Sequence, residues 1–139
     1  MLSTTLNTNE IKNAAAVEQE FGRLSNEGRT AEYALLTESP GLQHRLSIKH
    51  REVGSGVDTR RQSVIRFHKE AMGQIDTTRK TDSIAQITVD IPIGNISDYT
   101  VIKDVLAELQ SFVATTGAAT TVLFDCTGNG AATLVNGSL

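Results

Sequence analysis

Over residues 83–93 the chain alternates with a period of two. Ala85, Ile87, Val89, Ile91 and Ile93 hold one set of positions, and Ile84, Gln86, Thr88, Asp90 and Pro92 hold the other. Period two over this length specifies a β-strand with one buried face and one mostly wet face, which an antiparallel sheet allows and a fully covered parallel sheet does not. Pro92 donates no ladder hydrogen bond and so suits a strand end or a sheet edge. The same period runs through 42–53, where His44, Leu46, Ile48 and His50 share one face and Arg45, Ser47, Lys49 and Arg51 the other. From 59 to 69, Ser63, Ile65 and Phe67 oppose Gln62, Val64, Arg66 and His68. Gly54-Ser55-Gly56 between these two segments is a turn signal, and a hairpin closed there puts both polar faces on one side. Residues 30–38 read as a further strand.

The period then changes. Ile102, Val105, Leu106, Leu109, Phe112 and Val113 recur at steps of three and four, which predicts a helix over 97–116 with a single apolar stripe. Ser97 or Asp98 can cap its first turn and Gly117 can supply a left-handed stop. The run Thr121–Phe124 is short and apolar, and the Gly- and Asn-rich residues 127–139 read as a loose tail. The first 28 residues are ambiguous. Ala14–Phe21 contains good helix formers, yet Val17, Gln19 and Phe21 also alternate. The sum is an antiparallel sheet followed by helix, an α+β arrangement in one domain, 1–139.

One copy of this chain cannot close its own core. Four strands at about 4.8 Å spacing make a sheet about 20 Å wide, whereas a helix of this length is about 28 Å long and only ~10 Å across. A second copy of the helix would complete the cover, so area alone predicts a two-fold homodimer. The competing possibility is that the N-terminal 28 residues fold back as a covering helix.

Charge is distributed as unevenly as hydrophobicity. The chain carries a net charge of −3. Residues 42–69 nevertheless hold seven bases (Arg45, Lys49, Arg51, Arg60, Arg61, Arg66, Lys69) against two acids, Glu52 and Asp58. A polyanion responds to such a window and not to the total, because screening limits its reach to about 8–10 Å. Arg45, Lys49, Arg51 and Arg66 share the polar sheet face and read as a phosphate-binding patch, while Arg60 and Arg61 near the turn and Asp90 read as solubilising residues.

Other chemistries find little support. There is no P-loop, HExxH, nucleophile elbow or metal-spaced Cys/His cluster, so no catalytic residue, metal or cofactor is expected. His44 and His50 are too far apart for joint ligation, and His68 lies on the other face. The only cysteine, Cys126, reads as a small buried or half-buried hydrophobe, with an intersubunit disulfide or reactive thiol as the alternative. No run approaches the ~20 apolar residues of a spanning helix. The N-terminus lacks the basic start and apolar stretch of a signal peptide, which points to a cytosolic protein that does not engage membranes.

Three segments in order, LQHRLSIKHREVGSG, SIAQITVDIPIGNISD and VLAELQSFVAT, resemble the coat proteins of single-stranded RNA bacteriophages, the levivirus type, over about residues 30–127. The resemblance implies an N-terminal β-hairpin, a five-stranded antiparallel sheet, then one long and one short C-terminal helix that pack over a partner's sheet, the dimer carrying a continuous ten-stranded sheet. It further implies an icosahedral shell made in the bacterial host cytoplasm and lined by the open sheet face. Its partners would be genomic single-stranded RNA and a maturation protein, and one dimer could repress replicase translation through an RNA hairpin. Carried over by position, the RNA face is Arg45, Ser47, Lys49, Arg51, Gln62, Val64, Arg66, His68, Ile84, Gln86 and Thr88, and Ile102, Val105, Leu106, Leu109, Phe112 and Val113 form the dimer interface.

The chain departs from that pattern in two places. Ile84 stands where some family members stack an aromatic on a base, and none of Phe21, Tyr33, Phe67, Tyr99, Phe112 and Phe124 falls on this face. The loop expected to line the symmetry axes, near residues 73–79, is short and contains no cysteine. A free homodimeric RNA-binding regulator with the same basic sheet and no shell is the alternative function.

Overall fold

A computed structural model describes all residues except 1, 8, 118–120 and 138–139. The chain divides into two compact units, residues 1–8 with 20–96, and residues 9–19 with 97–139.

The first unit is a single antiparallel sheet in chain order: β1 (Thr5–Leu6), β2 (Phe21–Glu27), β3 (Thr30–Leu35), β4 (His44–Val53), β5 (Arg60–Met72) and β6 (Lys80–Ile91). The three alternating segments are thus strands β4, β5 and β6, each a neighbour of the next. The turn between β4 and β5 uses Gly54 and Gly56 at φ +91° and +57°, a region open to glycine without a Cβ clash. One turn of 3-10 helix, Gly56–Asp58, follows. The β5–β6 connection occupies residues 73–79, where the short loop was expected.

The implied N-terminal hairpin and the strands that follow it form one continuous sheet. The short β1 pairs with β2, and β2 pairs with β3 across a bulge between Arg23 and Ser25, so all six strands join one sheet. The described N-terminal residues contain no helix. Asn13 Oδ1 accepts the N–H groups of Ala15 and Val17, Ala16 takes φ +60°, and the backbones of Lys12 and Glu18 pair in an isolated antiparallel β-bridge. The Asn13 side chain offers the backbone a tight turn in place of a helix, the competition that makes Asn a poor helix-interior residue.

The core of this unit lies at its β2–β4 end. Phe21 and Tyr33 are completely buried, and Leu46 and Ile48 are nearly so. Phe21 meets the edges of His44 and Phe67 at ring-centroid distances of 5.2 and 5.8 Å. The Tyr33 hydroxyl donates to Ser3 O at 2.9 Å and accepts from Arg23, which satisfies a polar tip that burial would otherwise penalise. No residue of β5 or β6 is buried.

The second unit contains α1 (Thr100–Val113), a small hairpin of β7 (Thr115–Gly117) and β8 (Thr121–Leu123), and α2 (Asn129–Asn136). α1 is shorter than the expected 97–116. Tyr99 holds the N-cap position with no side-chain cap bond, and Asp98 Oδ1 accepts Thr100 N–H at 2.8 Å. At the other end Ala114 turns extended, so the helix stops before Gly117, which lies in β7. The run at 121–124 contributes β8, a pairing with no signal in the sequence beyond its apolarity. A loose tail was expected over 127–139, yet 129–136 form the short second helix that the family resemblance implied, closed by Gly137 at φ +67°. Residues 138–139 of that tail lie outside the described residues. Gly130 packs against the α1 carbonyl of Phe112 so closely that a Cβ would lie 2.1 Å from that oxygen.

Cys126 is exposed and not buried as expected. It occupies a turn at φ +59°, where Asp125 Oδ1 accepts both the N–H and the hydroxyl of Thr127.

Candidate nucleic-acid interface

Strand register decides which side chains share a face. Across β4, β5 and β6 the pairs form four rungs: Arg45–His68–Ile84, Ser47–Arg66–Gln86, Lys49–Val64–Thr88 and Arg51–Gln62–Asp90. Side chains directly opposite in an antiparallel pair point the same way, with Cβ atoms about 4.5–5.5 Å apart. All eleven residues assigned to the polar face from the sequence therefore lie on one surface, and Asp90 completes the last rung. Leu46, Ile48, Ile65, Phe67, Ala85, Ile87, Val89 and Ile91 lie on the opposite one.

The cations on this surface are not equivalent. Arg45 is half-buried and paired with Glu38 at 3.0 Å. Among the described residues, no carboxylate lies within 4.0 Å of Lys49, Arg51 or Arg66, and all three are exposed. Lys49 and Arg51 are two residues apart on β4, a spacing of about 7 Å, and Arg66 lies diagonally across from Lys49 on β5. These three form the free cationic centre. Acids mark its margins: Glu32 opposite Ser47, Asp90 opposite Gln62, and Glu70 opposite Asp82. An open groove of about 430 Å³ beside the centre is lined by Leu24, Glu32, Arg45, Ser47, Arg66 and His68, among others.

Other sequence-assigned residues have partners of their own. Arg60 binds Asp90 at 2.9 Å, and Arg61 and Arg29 converge on Glu52 at 3.3 and 2.8 Å. The hydrogen bond from Arg29 is the main cause that holds the Glu52 carboxyl below the usual range. His50 Nδ1 lies 2.8 Å from Ser63 Oγ. His44 is half-buried against Phe21, and its pKa is lowered first by burial, then by the nearby charge of Lys69. Phe21, Tyr33 and Phe67 all belong to the core side, so among the described strand residues the cationic face has no Phe, Tyr or Trp, and its one ring is the imidazole of His68.

The predicted apolar stripe of α1 is present and uncovered. Val105, Leu109 and Phe112 are 57%, 44% and 62% exposed, Ile102, Leu106 and Val113 are half-buried, and no α1 residue is buried. On the apolar face of the sheet Ile65 remains 44% exposed. Sequence reasoning did not find the exposed pair Leu134 and Val135 on α2, because the glycines around them pointed to a tail.

No family model matches the chain, and no curated protein matches it. Solved structures do. The bacteriophage EMS014 coat protein aligns with a TM-score of 0.64 at 12% identity, over 87% of each chain. The chain has the levivirus-type coat-protein fold. The virus-like particle of Beihai levi-like virus 32 aligns with a TM-score of 0.55 at 16% identity, over 66% of this chain and 73% of that one. The particle of bacteriophage AVE015 aligns at 0.52 and 14%, over 74% of each. Identities this low leave the fold as the shared property. In that fold the rungs of β4, β5 and β6 form the polar sheet face, and α1 and α2 are the long and short C-terminal helices.

Proposed function

We propose that this chain is a structural capsid protein. Two copies join as a homodimer with a continuous sheet, dimers assemble into an icosahedral shell, and the β4–β6 polar face packages single-stranded RNA in its interior. The observation that carries the reading is the pairing of opposites in one sheet: a free cationic centre at Lys49, Arg51 and Arg66 on one surface, and an apolar surface with no buried residue in β5 or β6 on the other. β6 is the last strand of its sheet and twelve residues long. Its outer row of N–H and C=O groups is a template for another strand, and antiparallel pairing with the same strand of a second copy satisfies both rows about a two-fold axis. The uncovered stripes of α1 and α2 then have the partner's sheet to cover.

RNA is held here by charge. With no Phe, Tyr or Trp on the described face, the strong base stacking that typically contributes about 1–3 kcal/mol per base does not select a particular hairpin here. Phosphate contacts from the three cations bind any sequence and weaken steeply with salt. This favours packaging over the sequence-specific repression of replicase translation. Assembly in the host cytoplasm and incorporation of a maturation protein belong to the same reading. Among the described residues no helix is long and apolar enough to cross a membrane.

The test is the double charge reversal Lys49→Glu with Arg66→Glu, expressed in bacteria. The expected outcome is particles or dimers of normal size with a strongly reduced ratio of absorbance at 260 to 280 nm. RNA content equal to wild type would overturn the assigned face. A clean dimer that never forms shells in either protein would favour a free RNA-binding regulator.

A further inference from the structure

The β5–β6 register that builds the cationic face also places Glu70 opposite Asp82, with His68 two residues along on the same surface. One ligand atom from each of the three lies within 4.8 Å of the others. His68 Nε2 and Asp82 Oδ1 are 3.5 Å apart. Two metal bonds of about 2.0–2.1 Å at the tetrahedral angle separate their donor atoms by about 3.4 Å, so this edge has the dimension that a zinc ion requires. We propose that His68, Glu70 and Asp82 form a three-ligand site for a divalent transition-metal ion such as zinc, its fourth position open to water or another oxygen donor.

Two further features favour ligation over a chance cluster. Glu70 is well shielded, its side chain 19% exposed, and the backbone N–H of Gln43 donates to its Oε2 at 2.9 Å. That bond orients the carboxylate from outside the donor set and leaves Oε1 free, the way outer-shell partners fix metal ligands. His68 is similarly shielded at 24%, while Asp82 is open to solvent at 61%, which gives an ion a way in. One imidazole with two carboxylates suits zinc, cobalt, nickel or manganese. It supplies too few oxygens for calcium, and magnesium needs near-ideal octahedral oxygen geometry. The neighbouring cations are Lys80, whose Nζ is 3.9 Å from Glu70 Oε2 and whose side chain is half exposed, and Arg45 and Arg66, which line the groove beside His68. Lys80 is long enough to turn outward when an ion displaces it. The site depends on no property of RNA, so it stands or falls separately from the packaging reading.

The experiment is calorimetric titration of Zn2+ into chelator-stripped, full-length protein, with Co2+ absorption as the structural readout. Expected are one ion per chain at micromolar affinity, a tetrahedral Co2+ visible spectrum, and no displacement by millimolar Mg2+. His68→Ala and Asp82→Asn should each weaken Zn2+ at least tenfold and abolish the Co2+ bands. Both positions are partly solvent-exposed, and unchanged circular dichroism will establish that the variants are folded. Absence of binding, or uptake that is the same in wild type and both variants, would overturn the site.

Discussion

The two ends of the sheet have similar sequence patterns and opposite burial. At the β2–β4 end Phe21 and Tyr33 are completely buried, with Leu46 and Ile48 close behind. At the β5–β6 end Ile65, Ile87, Val89 and Ile91 alternate just as regularly, yet none is buried. One end owns its core. The other has an apolar face ready for cover that a second copy can supply. Alternation thus reports which way a side chain points, and burial reports whether the chain itself supplies what lies opposite.

The largest effect should come from the open end. Ile87→Lys places a charge where the account needs a partner's apolar surface. It should abolish particles and dimers while leaving the circular dichroism of the monomer close to normal, measured by size exclusion with light scattering. Particles that form normally from this variant would remove the distinction between the ends.

At the closed end, Phe21→Ala removes a completely buried ring and should cost about 3–5 kcal/mol in denaturant unfolding. The same truncation at Ile65 should cost far less in dissociated protein and show its effect in the assembled state. Equal losses in the dissociated state would contradict the comparison.

The smallest effect is a pH dependence at the closed end. Burial beside Phe21, with the charge of Lys69, lowers the His44 pKa below its ordinary 6.5. The unfolded chain therefore takes up a proton at His44 before the folded one does. The stability this group contributes is fully present above about pH 6.5 and is lost as pH falls through the lowered folded value. The midpoint of thermal unfolding should decline in that window, and His44→Phe should flatten the decline. A slope unchanged in His44→Phe would assign it to other groups.

Much of this was legible in the sequence. Period two fixed the faces of β4, β5 and β6, so the polar grid of Arg45, Lys49, Arg66 and their neighbours follows from parity alone. The α1 stripe followed from period 3.6. Other features depend on distance and were not legible. Whether Arg45 is free depends on Glu38, which comes from the β3–β4 connection. The proximity of His68 and Asp82 depends on register across a turn, and comparing histidine spacings along the chain could not reveal it. The N-terminal turn was hidden because Asn13 overrides the helix preference of the alanines that follow it. α2 was implied by the family resemblance but hidden from pattern reading, because the glycines beside it at 128, 130 and 137, which read as tail, here mark its start, a close approach and its left-handed end.

The most direct test of the central claim is the assembly state of the wild-type chain after expression in bacteria, read by size exclusion with multi-angle light scattering and electron microscopy. Uniform closed shells that contain RNA and dissociate into units of twice the 15.0 kDa chain mass are expected. A stable, soluble monomer of 15.0 kDa that forms neither dimer nor shell would contradict that claim.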